Sequence, residues 1–371
     1  MDVISLTREL ISFNTINPPG DEALIARFVG KILTDNGFKV TYPEFRENRL
    51  HMIAEKGVPA SGKPLILSGH FDVVPLGSKQ WSRDPFKSVI EGDRIYGRGS
   101  SDMKSGLAAM ICAAIEVPAE KLPENGIRFI FTAGEELGCE GARDLVQKYD
   151  NLGMAGAAII GEPTDNIPGI GHKGAIFLNA TATGKTVHAS MPELGINAVY
   201  KAAAAVLKIE NFRFDAPADE LLGFPTIMVG KLNGGLNSNS VPDHAEFTID
   251  IRTTASVSHN EVLARLAKEL GSEIELKKTV DLGPVSNKAN DPFITLAYEV
   301  CESEGISFYR SGTLPYLTDG SVLQGYYKNL PTIILGPGQL DMAHQTDEFC
   351  LISKIEQAVR IYKNMIINWR N

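Results

Sequence analysis

Leu65-Ile66-Leu67-Ser68-Gly69-His70-Phe71-Asp72 is an apolar run that ends in a histidine and an aspartate. Two later runs share its form. Ile127-Arg128-Phe129-Ile130-Phe131-Thr132-Ala133 stops just before Gly134-Glu135-Glu136, and Ala157-Ala158-Ile159-Ile160-Gly161 stops just before Glu162. Short continuous apolar stretches of this kind read as strands buried in a sheet that is covered on both faces. Between the first two, residues 105–117 are rich in Ala, Leu, Met and Ile and read as a helix. The alternation predicts an α/β domain with a mostly parallel sheet. Its important loops follow strand C-termini, where ligands sit in open sheets of this class.

Upstream, Val3, Leu6, Leu10 and Ile11 follow a helical period that Asn17-Pro18-Pro19-Gly20 stops, and a second helix runs from about Ala23 to Asn36. Downstream of about Ala175 the pattern changes. FLNATATG, TIMVGKLNGG, HAEFTIDIRT and EIELKKTV read as alternating strands, and residues 197–209 and 260–270 as helices. Helix and strand then resume with a helix over 293–304 and the buried strand TIILG. We expect a catalytic domain in two pieces, 1–174 and 285–371, interrupted by a smaller α+β, ferredoxin-like domain over 175–284. Two units also suit 371 residues, given roughly one domain per 150.

Composition narrows the function. Apolar residues make up 43% and charged residues 22%, as in a soluble protein with a filled interior. A formal charge of -9 argues against a nucleic-acid footprint. Cys112, Cys139, Cys301 and Cys350 form no CxxC pair, so neither a zinc knuckle nor a disulfide framework is expected and a reducing cytoplasm fits. The N-terminus lacks the basic start and long apolar stretch of a signal peptide, and no segment approaches the roughly 20 apolar residues that span a bilayer.

Five clusters could carry chemistry. His70 and Asp72, two residues apart in extended chain, project to one face and suit a metal-binding imidazole steadied by a carboxylate. Asp102, in Gly97-Arg98-Gly99-Ser100-Ser101-Asp102-Met103-Lys104-Ser105-Gly106, is a ligand or, like Ser101, the N-cap of the helix that follows. Glu135 and Glu136 point to opposite sides in extended backbone, so one reaches a cation and its neighbour a bound water, unless they are a surface pair. Glu162 in Gly161-Glu162-Pro163-Thr164 and His344 in Ala343-His344-Gln345-Thr346-Asp347-Glu348 complete the set. Two histidines and three carboxylates suit a pair of divalent zinc-like ions with one carboxylate bridging. The lack of cysteine ligands points to an open hydrolytic site.

Taken together, SGHFDVVP, GRGSSDMKSG, AGEELG, GEPT and LGPGQLDMAHQTDE resemble, in order and spacing, the motifs of the M20 metallopeptidases, specifically the acetylornithine deacetylase and succinyl-diaminopimelate desuccinylase group. The resemblance covers nearly the whole chain. It implies that His70, Asp102, Glu136, Glu162 and His344 bind two zinc ions, cobalt being a possible substitute, with Asp102 bridging. It implies further that Glu135 is the general base and that Asp72 supports His70. The inserted domain becomes a lid and dimerisation domain of a homodimer. His188, in GKTVHASMP, would reach the active site of the partner and stabilise the oxyanion. Asn239 and Arg252 would contact substrate, Arg252 through a bidentate grip on a carboxylate; a surface salt bridge is its other reading.

The expected substrate is a small N-acyl amino acid or a dipeptide. The segments WSRDPF, GEPT and LGPG look like acetylornithine deacetylases, while Thr318-Asp319-Gly320 looks like the desuccinylases, and dipeptidases of the family stay open. A zinc-binding regulatory protein without turnover is the reading of another class, opposed by intact Glu135 and His188. His51, His172, His244 and His259 lie outside the ligand positions, and surface or packing roles are expected for them.

Overall fold

The computed structural model describes residues 1–149 and 152–370. Helix α1 (Val3–Ser12) starts where the Asp2 carboxylate accepts from the Ser5 amide at 2.7 Å, and it buries Val3, Leu6, Leu10 and Ile11 along one stripe. Helix α2 (Ala23–Asp35) does the same with Ile25, Ala26, Val29 and Leu33. Strands β1 (Lys39–Thr41), β2 (Met52–Lys56) and β3 (Leu65–His70) follow. Helix α3 (Ser105–Glu116) then leads to β4 (Ile127–Thr132), and α4 (Glu140–Lys148) to β5 (Ala157–Ile160). Every residue of β3, β4 and β5 is buried, as continuous apolar runs require of strands covered on both faces.

The chain next makes β6 (Gly174–Thr183), α5 (Ala198–Glu210), β7 (Thr226–Gly234), β8 (His244–Thr253), α6 (His259–Leu270) and β9 (Ile274–Leu282). It returns through α7 (Pro292–Ser303), α8 (Gly320–Tyr326), β10 (Thr332–Ile334) and α9 (Ile352–Asn368). Two compact units result: Met1–Gly171 with Asn287–Leu314 and Thr318–Asn371, and His172–Ser286 with Pro315–Leu317. The sequence places these crossings at 174/175 and 284/285.

The first unit is built on a six-stranded sheet of order β1-β2-β4-β3-β5-β10. From β4 through β3 and β5 to β10 every pairing is parallel; β1 and β2 add an antiparallel edge. Helix α3 is buried from Ser105 through Ala114 and packs against α1 and α9, which is why its composition is apolar all round instead of on one stripe. The second unit is an antiparallel sheet of order β7-β8-β6-β9 with α5 and α6 packed on it. Alternate residues of β8, Ala245, Phe247, Ile249 and Ile251, join Ile176, Leu178, Val262 and Leu266 in its core. The fold is thus mixed α/β, with a mostly parallel central sheet and a separate smaller sheet domain. Among the described residues no helix is long and apolar enough to cross a membrane.

Candidate metal centre

Strand β3 lies between β4 and β5 although it precedes both in sequence, so the C-terminal ends of three parallel strands face the same edge. His70 ends β3, Glu135 and Glu136 follow β4, and Glu162 follows β5. Asp102 arrives from the tight turn Ser100–Lys104, which precedes α3. Its backbone is extended (φ -119°, ψ 94°), and the residue flanking α3 is Lys104, with no side-chain cap. The capping reading of Ser101 and Asp102 is therefore incorrect: Asp102 is turned out of the helix instead of closing it.

Two groups of potential ligand atoms form, each within 4.8 Å: His70, Asp102 and Glu162, and Asp102, Glu136 and His344. Asp102 belongs to both. Its Oδ1 lies 3.2 Å from His70 Nε2, and its Oδ2 lies 3.4 Å from His344 Nε2. Glu162 Oε1 is 3.6 Å from His70 Nε2, and Glu136 Oε2 is 2.9 Å from His344 Nε2. Each half thus combines one imidazole with one carboxylate of its own and one oxygen of a shared carboxylate. Glu135 joins neither group.

The electrostatics are those of a cation site. Burial pushes the Glu136 carboxyl up to about 7 and Glu162 up to about 8, with the neighbouring acids adding to the effect. Burial also pushes Glu135 well above the carboxylate range. Against its own burial, His70 is raised well above its ordinary value by Glu162, Asp102 and Asp72. Hydrogen bonds that its ring donates to Asp102 and Glu136 raise His344 to about 10. Protons on the imidazoles balance the carboxylates here, and a divalent ion would release them. Glu136 Oε1 is buried with no hydrogen-bond partner among the described residues. An orphaned carboxylate oxygen beside nitrogen and oxygen donors fits a zinc-like ion.

Supporting residues fix these candidate ligands. His70 Nδ1 donates to the Asp72 carbonyl oxygen at 2.9 Å, which leaves Nε2 turned to Asp102 and Glu162. The Asp72 carboxylate is 3.5 Å from the same nitrogen and is engaged elsewhere. It accepts from the amides of Gly134 (2.9 Å), Glu135 (3.0 Å) and Glu136 (3.2 Å) and from Asn17 Nδ2 (2.9 Å). Despite full burial its carboxyl is held down to about 2 by His70, Asn17 and these amides. Asp72 therefore shapes the Glu135-Glu136 loop as well as steadying His70.

Glu348 does the same for Asp102. It is fully buried, accepts from the amides of Gly99 (3.0 Å), Ser101 (2.7 Å) and Asp102 (3.0 Å), and pairs with Arg98 at 2.6 Å. Sequence reading assigned it no role, because an acid within Gln345-Thr346-Asp347-Glu348 looks solvated. The neighbouring Asp102 loop, whose Gly99, Ser101 and Asp102 amides need an acceptor, is the signal that called for a buried carboxylate. A cavity of about 470 Å³, lined by polar residues including Ser78, Lys79, Gln80 and Thr346, opens beside His344. A similar volume of about 480 Å³ beside Arg128 and Tyr42 is lined by none of the candidate ligands.

His188, Asn239 and Arg252 belong to the second unit. The Ala189 amide donates to the Asn239 carbonyl at 3.0 Å, and His188 and Ser240 form a β-bridge, so His188 and Asn239 sit on adjoining segments. His188 is exposed, and its Nδ1 lies 2.7 Å from Ser190 Oγ and accepts from the Ser190 amide at 3.2 Å. Arg252 stands on β8, an inner strand, and its guanidinium grips Asp250 at 2.8 and 3.0 Å and lies over Phe177. Of the remaining histidines, His51 and His172 are buried, while His244 is exposed.

Comparison with known proteins gives this arrangement its lineage. The profile of peptidase family M20/M25/M40 matches residues 66–368, which include all five potential ligands. A protein of Staphylococcus aureus strain Mu50 named probable succinyl-diaminopimelate desuccinylase is 31% identical, with 95% of each chain covered. An acetylornithine deacetylase of Vibrio parahaemolyticus is 30% identical over 96% of this chain and 95% of its own. Among solved structures, an M20 family metallo-carboxypeptidase of Sulfolobus solfataricus superposes with a TM-score of 0.83 at 20% identity, with 99% of both chains covered, a likeness of fold. The chain belongs to peptidase family M20/M25/M40 and is a metal-dependent amide hydrolase.

Proposed function

We propose that this hydrolase removes an acyl group, acetyl or succinyl, from the nitrogen of a small amino acid, using two zinc ions. One observation carries the reading: the two oxygens of Asp102 face two separate imidazole–carboxylate groups. His70 and Glu162 would hold one ion, Glu136 and His344 the other, and Asp102 both. Bound zinc lowers the pKa of a coordinated water and polarises the scissile carbonyl.

The chain's own residues supply the rest. Glu135, adjacent to a ligand but outside both groups, takes the water's proton as oxygen adds to the carbonyl carbon. It gives that proton to the nitrogen as the C–N bond breaks, releasing a free amine and a carboxylic acid that loses the remaining water proton to solvent. A carboxyl whose burial favours the protonated form is suited to hold it between these steps. His188 of the partner subunit would donate to the oxyanion. Asn239 and Arg252 would contact the substrate, Arg252 exchanging Asp250 for the substrate carboxylate.

The second unit's exposed edge strand β7, with Met228 and Leu232, supports a homodimer formed through this unit. Cys112, Cys139, Cys301 and Cys350 are all free and buried, which favours a reducing, cytoplasmic setting.

Assaying N-acetyl and N-succinyl amino acids and dipeptides with zinc or cobalt, alongside metal analysis, tests the proposal. Amine release with two ions bound per chain is expected. Glu135→Gln should lower kcat by about 10²–10⁴-fold while keeping both ions. Two bound ions in Asp102→Ala, or near-normal turnover in Glu135→Gln, would reject it.

A further inference from the structure

Glu135 is part of a third cluster that the metal groups do not use. Its ligand-type atoms and those of Cys139 and Asp319 all lie within 4.8 Å of one another, and all three residues are buried. Cys139 Sγ donates to Glu135 Oε1 at 3.2 Å, and the Cys139 amide donates to the Glu135 carbonyl at 2.7 Å. Cys139 adopts a left-handed backbone (φ 53°), uncommon for a residue with a side chain and found more often where geometry serves function. Burial keeps its sulfur a neutral thiol, hence a donor.

Asp319 is 1% exposed. Its Oδ2 accepts from Thr132 Oγ1 at 2.5 Å, and Thr132 is the last residue of β4, three before Glu135. Its Oδ1 is buried without a hydrogen bond among the described residues, and its carboxyl lies within 4.8 Å of the Cys139 sulfur. A buried carboxylate oxygen left unmatched is costly, so its persistence beside Glu135 calls for a purpose.

We propose that Cys139 and Asp319 are positioning residues for Glu135: the thiol anchors Oε1, Asp319 braces Cys139 and the end of β4, and Oε2 is left as the oxygen that exchanges the proton. The inference rests on reading Glu135 as the general base. An oxygen tied to a thiol is a poorer proton acceptor, so the anchor decides which lone pair meets the water.

Cys139→Ala, Cys139→Ser, Asp319→Asn and Glu135→Gln, and Cys139→Ala combined with Glu135→Gln, test it in the zinc-loaded protein. Cys139→Ala should lower kcat by about 10- to 100-fold with KM within about twofold and both metals retained, and Cys139→Ser should recover most of the loss. In the Glu135→Gln background Cys139→Ala should cost nothing further, since both act through one carboxyl. The infrared S–H stretch lost in Cys139→Ala should lie below those of the other thiols and move in Glu135→Gln and Asp319→Asn. Wild-type kcat in Cys139→Ala, full multiplicative losses in the double variant, or an S–H band indifferent to Glu135→Gln would overturn the proposal. Wild-type protein that releases no amine from any substrate would instead sink the deacylase reading, and the infrared measurement would still decide the contact.

Discussion

Asp72 and Glu348 show how a candidate metal centre is held together by carboxylates that join neither ligand group. Each is a buried carboxylate that gathers the amides of a ligand-bearing loop, Asp72 those of 134–136 and Glu348 those around Asp102. Removing such an acceptor leaves buried N–H groups unpaired, at about 1–3 kcal/mol each. Asp72→Ala should therefore lower both melting temperature and zinc occupancy, checked by thermal unfolding and elemental analysis. Full occupancy at unchanged stability would show that the loop holds itself. The candidate ligands were legible in the sequence because each is an acid or histidine stranded at the end of an apolar run or in a glycine-rich turn. Glu348 was not, since burial of an acid in a polar loop depends on what packs over it.

At the scale of elements, glycines let the ligand-bearing segments approach. A Cβ on Gly106 of α3 would stand 2.3 Å from the Gly161 carbonyl oxygen at the end of β5, and one on Gly338 would stand 2.2 Å from the Ser101 oxygen. Both contacts are with backbone, which cannot rotate aside. Gly106→Ala should cost about 1–3 kcal/mol by overpacking and weaken zinc binding through the adjacent Glu162. Denaturant titration and zinc competition would check both effects, and a variant with wild-type stability would mean that α3 shifts freely. The edge strand β7 carries a separate prediction. If Met228 and Leu232 meet a second copy, replacing both with Lys should shift the protein from dimer to monomer in light scattering, whereas an unchanged mass would place the interface elsewhere. Where periodicity marks an element its position holds to within a few residues, as at α5, read as 197–209 and observed as Ala198–Glu210, whereas α4, α8 and α9 carry no range from the sequence.

For the whole molecule, two buried histidines tie stability to pH. Burial pushes His51 and His172 down to about 4, with Lys148 and Arg49 adding to the effect at His51 and Arg252 at His172. Above the ordinary value of 6.5 both folded and unfolded chains leave these rings neutral, and their stabilising contribution is complete. As pH falls from 6.5 towards 4, the unfolded chain binds protons that the folded one refuses, so stability drops. The slope is about 1.4 kcal/mol per pH unit for each fully titrating histidine. His172→Gln and His51→Gln should each flatten the fall in unfolding free energy across this window relative to wild type. Curves that stay parallel would show that the rings titrate normally in the fold.

The sequence by itself determined which residues stand at strand ends and which stretches are buried, because hydrophobic period and turn chemistry act over a few neighbours. It also carried the family, since five motifs in order are improbable by accident. Tertiary structure decided what those residues do to one another. That Asp102 offers one oxygen to each imidazole, that Glu348 is a buried acceptor, and that Arg252 is already held by Asp250 depend on distances set by packing. The first also depends on β3 lying between two strands that come after it, a long-range pairing that no local pattern records.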